Sequence, residues 1–288
     1  MEDKRFAVLI DADNVSAKYI KYILDETANY GTATYKRIYG DWTKPGAAAW
    51  KDVLLENSVT PVQQYNYTVG KNATDSAMII DAMDILYSGN VDGYCIVSSD
   101  SDFTKLSARL RESGMMVIGM GERKTPKPFI SACNLFKYLD VLAESEKKAI
   151  GLEEDRDQDR DGRNNSTGNG KSKATITEDQ EKSMTDLSVI KLAIKKMLAE
   201  ASGEDQRMNM GEIGNRLAKR YPDFDVRNYG DTKLSKFLKK IDFLKIESGG
   251  EGGTSLWVSL RSEEEPPEEE SVPLEKKKRP YYRKRNKT

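Results

Sequence analysis

The chain has 288 residues, 32% of them charged, with 46 Lys and Arg against 47 Asp and Glu. It contains no histidine and only two cysteines, which excludes Ser-His-Asp and Cys-His nucleophile systems, His-ligated zinc and an all-cysteine zinc site. Carboxylate–metal chemistry or a carboxylate nucleophile remains available for hydrolysis.

Residues 5 to 142 alternate between two periodicities. Runs of strand character are expected at 6–10, 32–39, 59–66, 93–97 and 115–120, and helices at 16–29, 46–57, 75–87, 103–112 and 128–138. In the first helix Tyr19, Ile20, Ile23 and Leu24 share a face, and Ser16 is placed to cap it. The fourth carries Phe103, Leu106 and Leu110 and stops at Gly114, a C-terminal signal. Strict β-α alternation with short apolar strands predicts a parallel sheet covered by helices on both faces. Residues 143 to 184 break the pattern. The charged run Glu153–Asp161 and the Gly/Asn/Ser-rich run Gly162–Gly170 predict a flexible linker. A second unit is expected over 185–262, with helices at 186–200, 211–220 and 232–241 and strands at 243–247 and 256–260. Gly249–Gly253 forms the turn between those strands. Three short helices and a hairpin make a winged-helix pattern, with Leu187, Ile190, Ala193, Ile194 and Met197 on the buried face of its first helix. Residues 263–288 are a low-complexity tail, acidic at Glu263–Glu270 and then basic, with eight cations between Lys276 and Lys287.

No apolar run approaches the ~20 residues of a membrane span. The charged start Met1-Glu-Asp-Lys-Arg5 leads into five apolar residues and does not read as a signal peptide. Cys95 and Cys133 lie in apolar stretches, which suits core thiols in a reducing, cytoplasmic setting.

The chemistry is concentrated where strands end. Phe6–Ile10 stops at Asp11-Ala-Asp13-Asn14, and Gly93–Val97 stops at Ser98-Ser-Asp100-Ser-Asp102. Ligands of open parallel sheets bind at the carboxyl ends of the strands. In the usual topology for this alternation the first and fourth strands are neighbours, which sets Asp11 beside Asp100. Asp75, in the first turn of its helix, shares a face with Met78, Ile79, Ala82 and Leu86 and so points toward the sheet. Asp81 and Asp84 lie off that face and read as solvated, with Asp81 the better second-tier candidate of the two. Two carboxylates about 4 Å apart repel by about 4 kcal/mol at an effective dielectric of 20. A divalent cation removes that repulsion, and hard oxygen donors suit Mg²⁺ or Mn²⁺. Lys71 is an alternative partner for Asp75, and Asp102 reads equally as a helix cap. Arg123, Lys124 and Lys127, in the loop after the fifth strand, place cations near the same crevice, where they suit phosphate. Lys276, Lys277, Lys278, Arg279, Arg283, Lys284 and Arg285, with Tyr281 and Tyr282 among them, suit a nonspecific nucleic-acid arm.

Leu9-Ile-Asp-Ala-Asp-Asn14, Gly70-Lys-Asn-Ala-Thr-Asp-Ser-Ala77, Ile80-Asp-Ala-Met-Asp84 and Val97-Ser-Ser-Asp-Ser-Asp-Phe103 resemble the NYN domain, a branch of the PIN-like nucleases. The match covers about half of the chain and continues through Leu110–Gly119. It implies an α/β/α sandwich over residues 1–142 with strand order 3-2-1-4-5. It also implies Mg²⁺- or Mn²⁺-dependent RNA cleavage by Asp11, Asp75, Asp100 and Asp102, supported by Asn14 and Ser98, with Asp13 and Lys71 adjoining. The second unit resembles the LOTUS (OST-HTH) winged helix through Ile213, Leu217, Tyr221–Phe224, Asn228–Gly230, Leu234, Phe237-Leu238 and Trp257-Val258. That family implies RNA binding or docking to an RNA helicase or another RNA-processing protein. Two other readings stay open on the residues alone. One is a non-catalytic RNA-binding adaptor. The other is a haloacid-dehalogenase-like phosphatase with Asp11 as nucleophile and Asp13 as acid/base, although a helix starting near Ser16 leaves no room for the hairpin and cap usual after that motif.

Overall fold

The computed structural model describes residues 3–65, 73–147, 184–201, 207–249 and 255–261. Lys71, the linker residues 148–183, the turn residues 250–253 and the tail 263–288 with its seven singled-out cations lie outside the described residues.

Six parallel strands form one sheet in the order β3-β2-β1-β4-β5-β6. These are β1 (Arg5–Asp11), β2 (Thr32–Gly40), β3 (Thr60–Gln63), β4 (Gly93–Val97), β5 (Met116–Gly121) and β6 (Leu135–Tyr138). The connecting helices are α1 (Ile20–Ala28), α2 (Lys51–Asn57), α3 (Ala73–Ser88), α4 (Thr104–Glu112) and α5 (Lys127–Ala132). The period of two along the central strands divides the core. Ala7 and Leu9 of β1, with Tyr94 and Ile96 of β4, pack against α3, α4 and α5. Phe6, Val8 and Ile10, with Cys95 and Val97, pack on the other face with α1 and α2. Cys95 and Cys133 are both free and buried, and burial pushes each thiol up to about 12.

Expected and observed elements differ at three informative places. Residues 128–138, expected as one helix, divide into α5 and the sixth strand. Phe136 and Tyr138 are buried together on one face of β6 and Leu135 packs on the other, a period of two. Asn134 sets the register, donating its N–H to Val117 O and accepting from Val117 N at 2.8 Å each. The third strand is only four residues long, against eight expected. Ser16 occupies the cap position of a single turn at 17–19 but makes no side-chain capping bond.

The second unit contains α6 (Leu187–Ala199), α7 (Met210–Arg220) and α8 (Leu234–Lys239), with an antiparallel sheet β7-β9-β8 formed by Met208–Asn209, Ser255–Leu260 and Leu244–Gly249. Ile190, Ala193, Ile194 and Met197 line its core as expected, whereas Leu187, at the first helical position, is 39% exposed. The short strand β7 was not anticipated; Asn209 ends it and caps α7 through its side chain.

The two units are in contact. A helix that begins at Leu139 runs on through Lys147, past the expected start of the linker. Met184 packs on the core of the first unit. Phe136 N–H, on the outer edge of β6, donates to Pro222 O at 2.8 Å. Lys137 pairs with Asp225 at 2.6 Å and with Glu26 at 3.3 Å, and Arg227 pairs with Asp225 at 2.7 Å and Glu26 at 3.2 Å. Glu26 and Lys137 belong to the α/β unit, Asp225 and Arg227 to the second.

Candidate functional site

Alternation carries past the end of β1. Ala7 and Leu9 face α3, so Asp11 faces it too, and the same count on β4 points Ser98 after Tyr94 and Ile96 to that side. β1 and β4 pair with Ile10 opposite Val97, which brings the two strand ends together. Gly121 lets the loop after β4 pass closely, because a Cβ there would stand 2.6 Å from Ser98 O and 2.5 Å from Thr125 Oγ1.

Asp11 is fully buried. Its Oδ1 accepts from Asp13 N–H at 3.0 Å, and its Oδ2 accepts from Asn14 Nδ2 at 2.8 Å and from Ser98 Oγ at 2.7 Å. Burial raises its pKa, and the hydrogen bonds from Ser98, Asn14 and Asp13 N–H oppose that rise. Ser98 Oγ in turn accepts from Asp100 N–H at 3.0 Å, so a single hydroxyl links both strand ends.

Asp75, Asp100 and Asp102 each place one carboxylate oxygen within 4.8 Å of the others. Asp75 is half-buried on α3 and Asp102 is exposed. Burial pushes the Asp75 carboxyl up to about 6, reinforced by the charges of Asp11, Asp100, Asp102 and Asp13. Asp11 stands behind this trio, its two oxygens occupied by three donors. A buried carboxylate so engaged is poorly presented to a phosphate, which removes the geometric support for Asp11 as a covalent nucleophile. The donor set is all oxygen, anionic and mutually repulsive, so it fits a hard divalent cation.

Other expected residues fall differently. The capping role considered for Asp102 belongs to Asp100, whose Oδ1 accepts from Asp102 N–H at 3.0 Å. Asp13 is exposed; its Oδ2 accepts from Thr74 Oγ1 at 3.0 Å and its Oδ1 lies 3.8 Å from Lys44 Nζ. Asp84 is exposed, but Asp81 is not solvated: it bonds Arg37 and the Tyr39 hydroxyl of β2, tying α3 to the sheet. Arg123 makes a paired bond to Glu144 at 2.9 and 3.0 Å and lies 3.7 Å from Asp140, and Lys124 pairs with Glu122 at 2.9 Å. Arg123 is thus answered by two carboxylates of the helix that begins at Leu139, and Lys124 by Glu122 of the loop itself. Lys127 is exposed at the start of α5.

Thr74, Lys44, Trp42 and Trp50 were not singled out from the sequence. Thr74 had a usable signal, a polar residue beside Asp75 in the first turn of a helix. Trp42 and Lys44 lie just after β2, where no periodicity announces direction, and Trp50 closes the helical turn Pro45–Trp50, inside the helix expected over 46–57.

Residues 5–140 match the NYN domain family and residues 185–256 match the OST-HTH/LOTUS domain family. A crystal structure of a protein of unknown function from Vibrio parahaemolyticus is similar over 48% of this chain and 93% of that one, with 18% identity and a TM-score of 0.40. No curated protein matches the chain. Among the described residues, no helix is long and apolar enough to cross a membrane.

Proposed function

This chain carries an NYN domain followed by an OST-HTH/LOTUS domain, and on that premise we propose that it is a metal-dependent endoribonuclease of the cytoplasm. The reading rests foremost on the trio Asp75, Asp100 and Asp102 at the carboxyl ends of the central strands. In it Asp75, Asp100 and Asp102 hold Mg²⁺ or Mn²⁺, and Asp11 completes the negative field from behind. When bound, such an ion supplies Lewis acidity and neutralises charge on the phosphate. Ser98 and Asn14 hold Asp11 in place and favour its charged form against the effect of burial, and Ser98 also locks the turn that presents Asp100. The OST-HTH/LOTUS unit, read as a winged helix spanning 185–262, brings RNA to the crevice or docks an RNA helicase or similar partner. The domain limits 1–142, 143–184, 185–262 and 263–288 and the basic tail as an RNA arm belong to the same proposal.

The direct test is cleavage of single-stranded RNA by the purified full chain in Mg²⁺, Mn²⁺ and EDTA. Absence of metal-dependent cleavage, with RNA still bound, would favour the adaptor reading.

A second measurement needs no activity. A ligand that binds only the folded state stabilises it by about 2.7 kcal/mol at a free concentration 100 times its Kd. Millimolar Mn²⁺ is therefore expected to raise the melting temperature of the wild type by several degrees, and the Asp75→Asn, Asp100→Asn variant is expected to lose that shift. Equal shifts in both proteins would place the ion elsewhere.

The metal-free protein carries its own signature. The Asp75 pKa is higher folded than unfolded, about 6 against an ordinary 3.8. The native state therefore binds this proton more tightly, and stability falls as pH rises through that window. In EDTA, Asp75→Asn should melt above wild type at pH 7.5, and the gap should close near pH 4. A gap independent of pH would mean that Asp75 is not charge-strained.

A further inference from the structure

Beside the acidic trio, past the ends of β1 and β2, lies a cavity of about 220 Å³ whose lining includes Asp13, Gly40, Trp42, Lys44, Ala47 and Trp50. Nothing in the cleavage chemistry above uses it. Asp13 joins the two places, because it lines the cavity and accepts from Thr74, the residue before Asp75.

The lining is aromatic and rigid. Trp42 donates its indole N–H to Val62 O at 3.0 Å and its backbone N–H to Gln63 Oε1 at 3.0 Å. With both donors committed to β3, the indole offers a fixed face rather than a hydrogen-bonding edge. Trp50 is 4% exposed and forms a wall continuous with the core. Gly40 keeps the floor open. A Cβ there would stand 3.0 Å from Ala12 Cβ and 3.9 Å from Trp42 Cζ2, in the space between the strand end and the indole. Among the described lining residues Lys44 is the cation, set against the carboxylates of Asp13 and Asp41, and it lies 3.8 Å from Asp13 with both side chains well exposed. Such a pair contributes little to stability and can open toward a phosphate.

A small aromatic-walled cavity with a cation at its side and an acidic centre next to it matches a nucleotide: a planar base for the Trp42 indole, with Trp50 as the wall behind, and a phosphate for the lysine. We propose that this cavity is a base-binding subsite, receiving the nucleobase next to the phosphate presented to Asp75, Asp100 and Asp102, with Lys44 on that nucleotide's phosphate. Which bond is cut rests on the nuclease reading; the base site itself does not. A base can enter only unpaired, so the subsite selects single-stranded over duplex RNA. Stacking accepts any base, because every base has a π face.

The chain has three tryptophans, Trp42, Trp50 and Trp257, so a full-length Trp257→Phe protein reports on the cavity by fluorescence. Titration in EDTA with adenosine 5′-monophosphate is expected to quench it saturably, and ribose 5-phosphate is expected not to. Adding Ala47→Leu, which fills the cavity without touching the carboxylates, should abolish the quench and weaken binding of a hexauridylate about tenfold. Ala47→Val replaces it if the leucine variant does not fold. Equal quenching by the two phosphates, or a wild-type quench in the filled variant, overturns the subsite. Metal-dependent cleavage by a protein that shows no quench would remove the subsite and leave the nuclease reading intact. A quench in a protein that never cleaves would keep the subsite and remove the nuclease reading.

Discussion

Asp100→Asn is expected to lower RNA cleavage by about a thousandfold while leaving RNA affinity unchanged or slightly tighter. The carboxylate lost is one of three that approach within 4.8 Å, and its oxygen is the one that a hard cation prefers over an amide. On the proposed metal-dependent reading, removing it would weaken the hold on an ion that would contribute several kcal/mol of charge stabilisation in the transition state. About 4 kcal/mol corresponds to about a thousandfold. Binding should survive because Asp100 repels phosphate in the absence of metal. Asp84→Asn is the matched control, a carboxylate-to-amide change on the exposed side of the same helix as Asp75, and should cleave at the wild-type rate. Cleavage by Asp100→Asn at the wild-type rate, in protein freed of contaminating nuclease, would show that this trio does not carry the reaction.

Much of this centre was legible because short apolar strands are strongly marked and their ends are therefore easy to place. Asp11, Ser98 and Asp100 follow directly from two such ends, and β-α alternation makes β1 and β4 neighbours. The division of labour among the aspartates was not legible. That Asp11 recedes behind three hydrogen bonds while Asp102 stays exposed depends on the path of a turn, which residue spacing does not fix. Asp81 was misjudged for a related reason. A helical wheel gives its angle on α3, but not that Arg37 and Tyr39 reach across from β2 to meet it. The cations of the loop after β5 read as available in sequence. Their partners Asp140 and Glu144 come from a later helix. The sixth strand was missed because Leu135-Phe-Lys-Tyr138 is too short to separate a period of two from a helical turn.

The contact between the two units was the least legible feature, and it leads to the second large expected effect. A charged linker suggests two independently tumbling domains, yet Glu26, Lys137, Asp225 and Arg227 meet across the boundary with Lys137, Glu26 and Asp225 each no more than 12% exposed in the side chain. Burial opposes ionisation of Asp225, but the hydrogen bond from Arg227 and the charges of Lys137 and Arg227 overcome it and hold the carboxyl well below the usual range. Lys137→Met leaves two buried carboxylates facing one guanidinium. Breaking a buried pair in this way costs about 3–5 kcal/mol, which lowers the melting temperature by about 10 °C in a chain of this size. Adding Asp225→Leu, which leaves the Glu26–Arg227 pair balanced, should recover more than half of the loss. The sign with pH follows from the depressed Asp225 pKa. Its contribution is fully present above the unfolded value near 4 and is lost as pH falls through the lower folded value. Acid should therefore loosen the wild-type contact, and Lys137→Met should respond less to that acidification. Cleavage at a protease site introduced within residues 160–170 separates the question of docking from that of stability. The wild-type fragments should stay together through gel filtration at low and high salt, since buried pairs are weakly screened, and the Lys137→Met fragments should part. Wild-type fragments that separate at low salt would mean that the domains act as two bodies, and the NYN crevice would then receive RNA without a fixed OST-HTH/LOTUS neighbour.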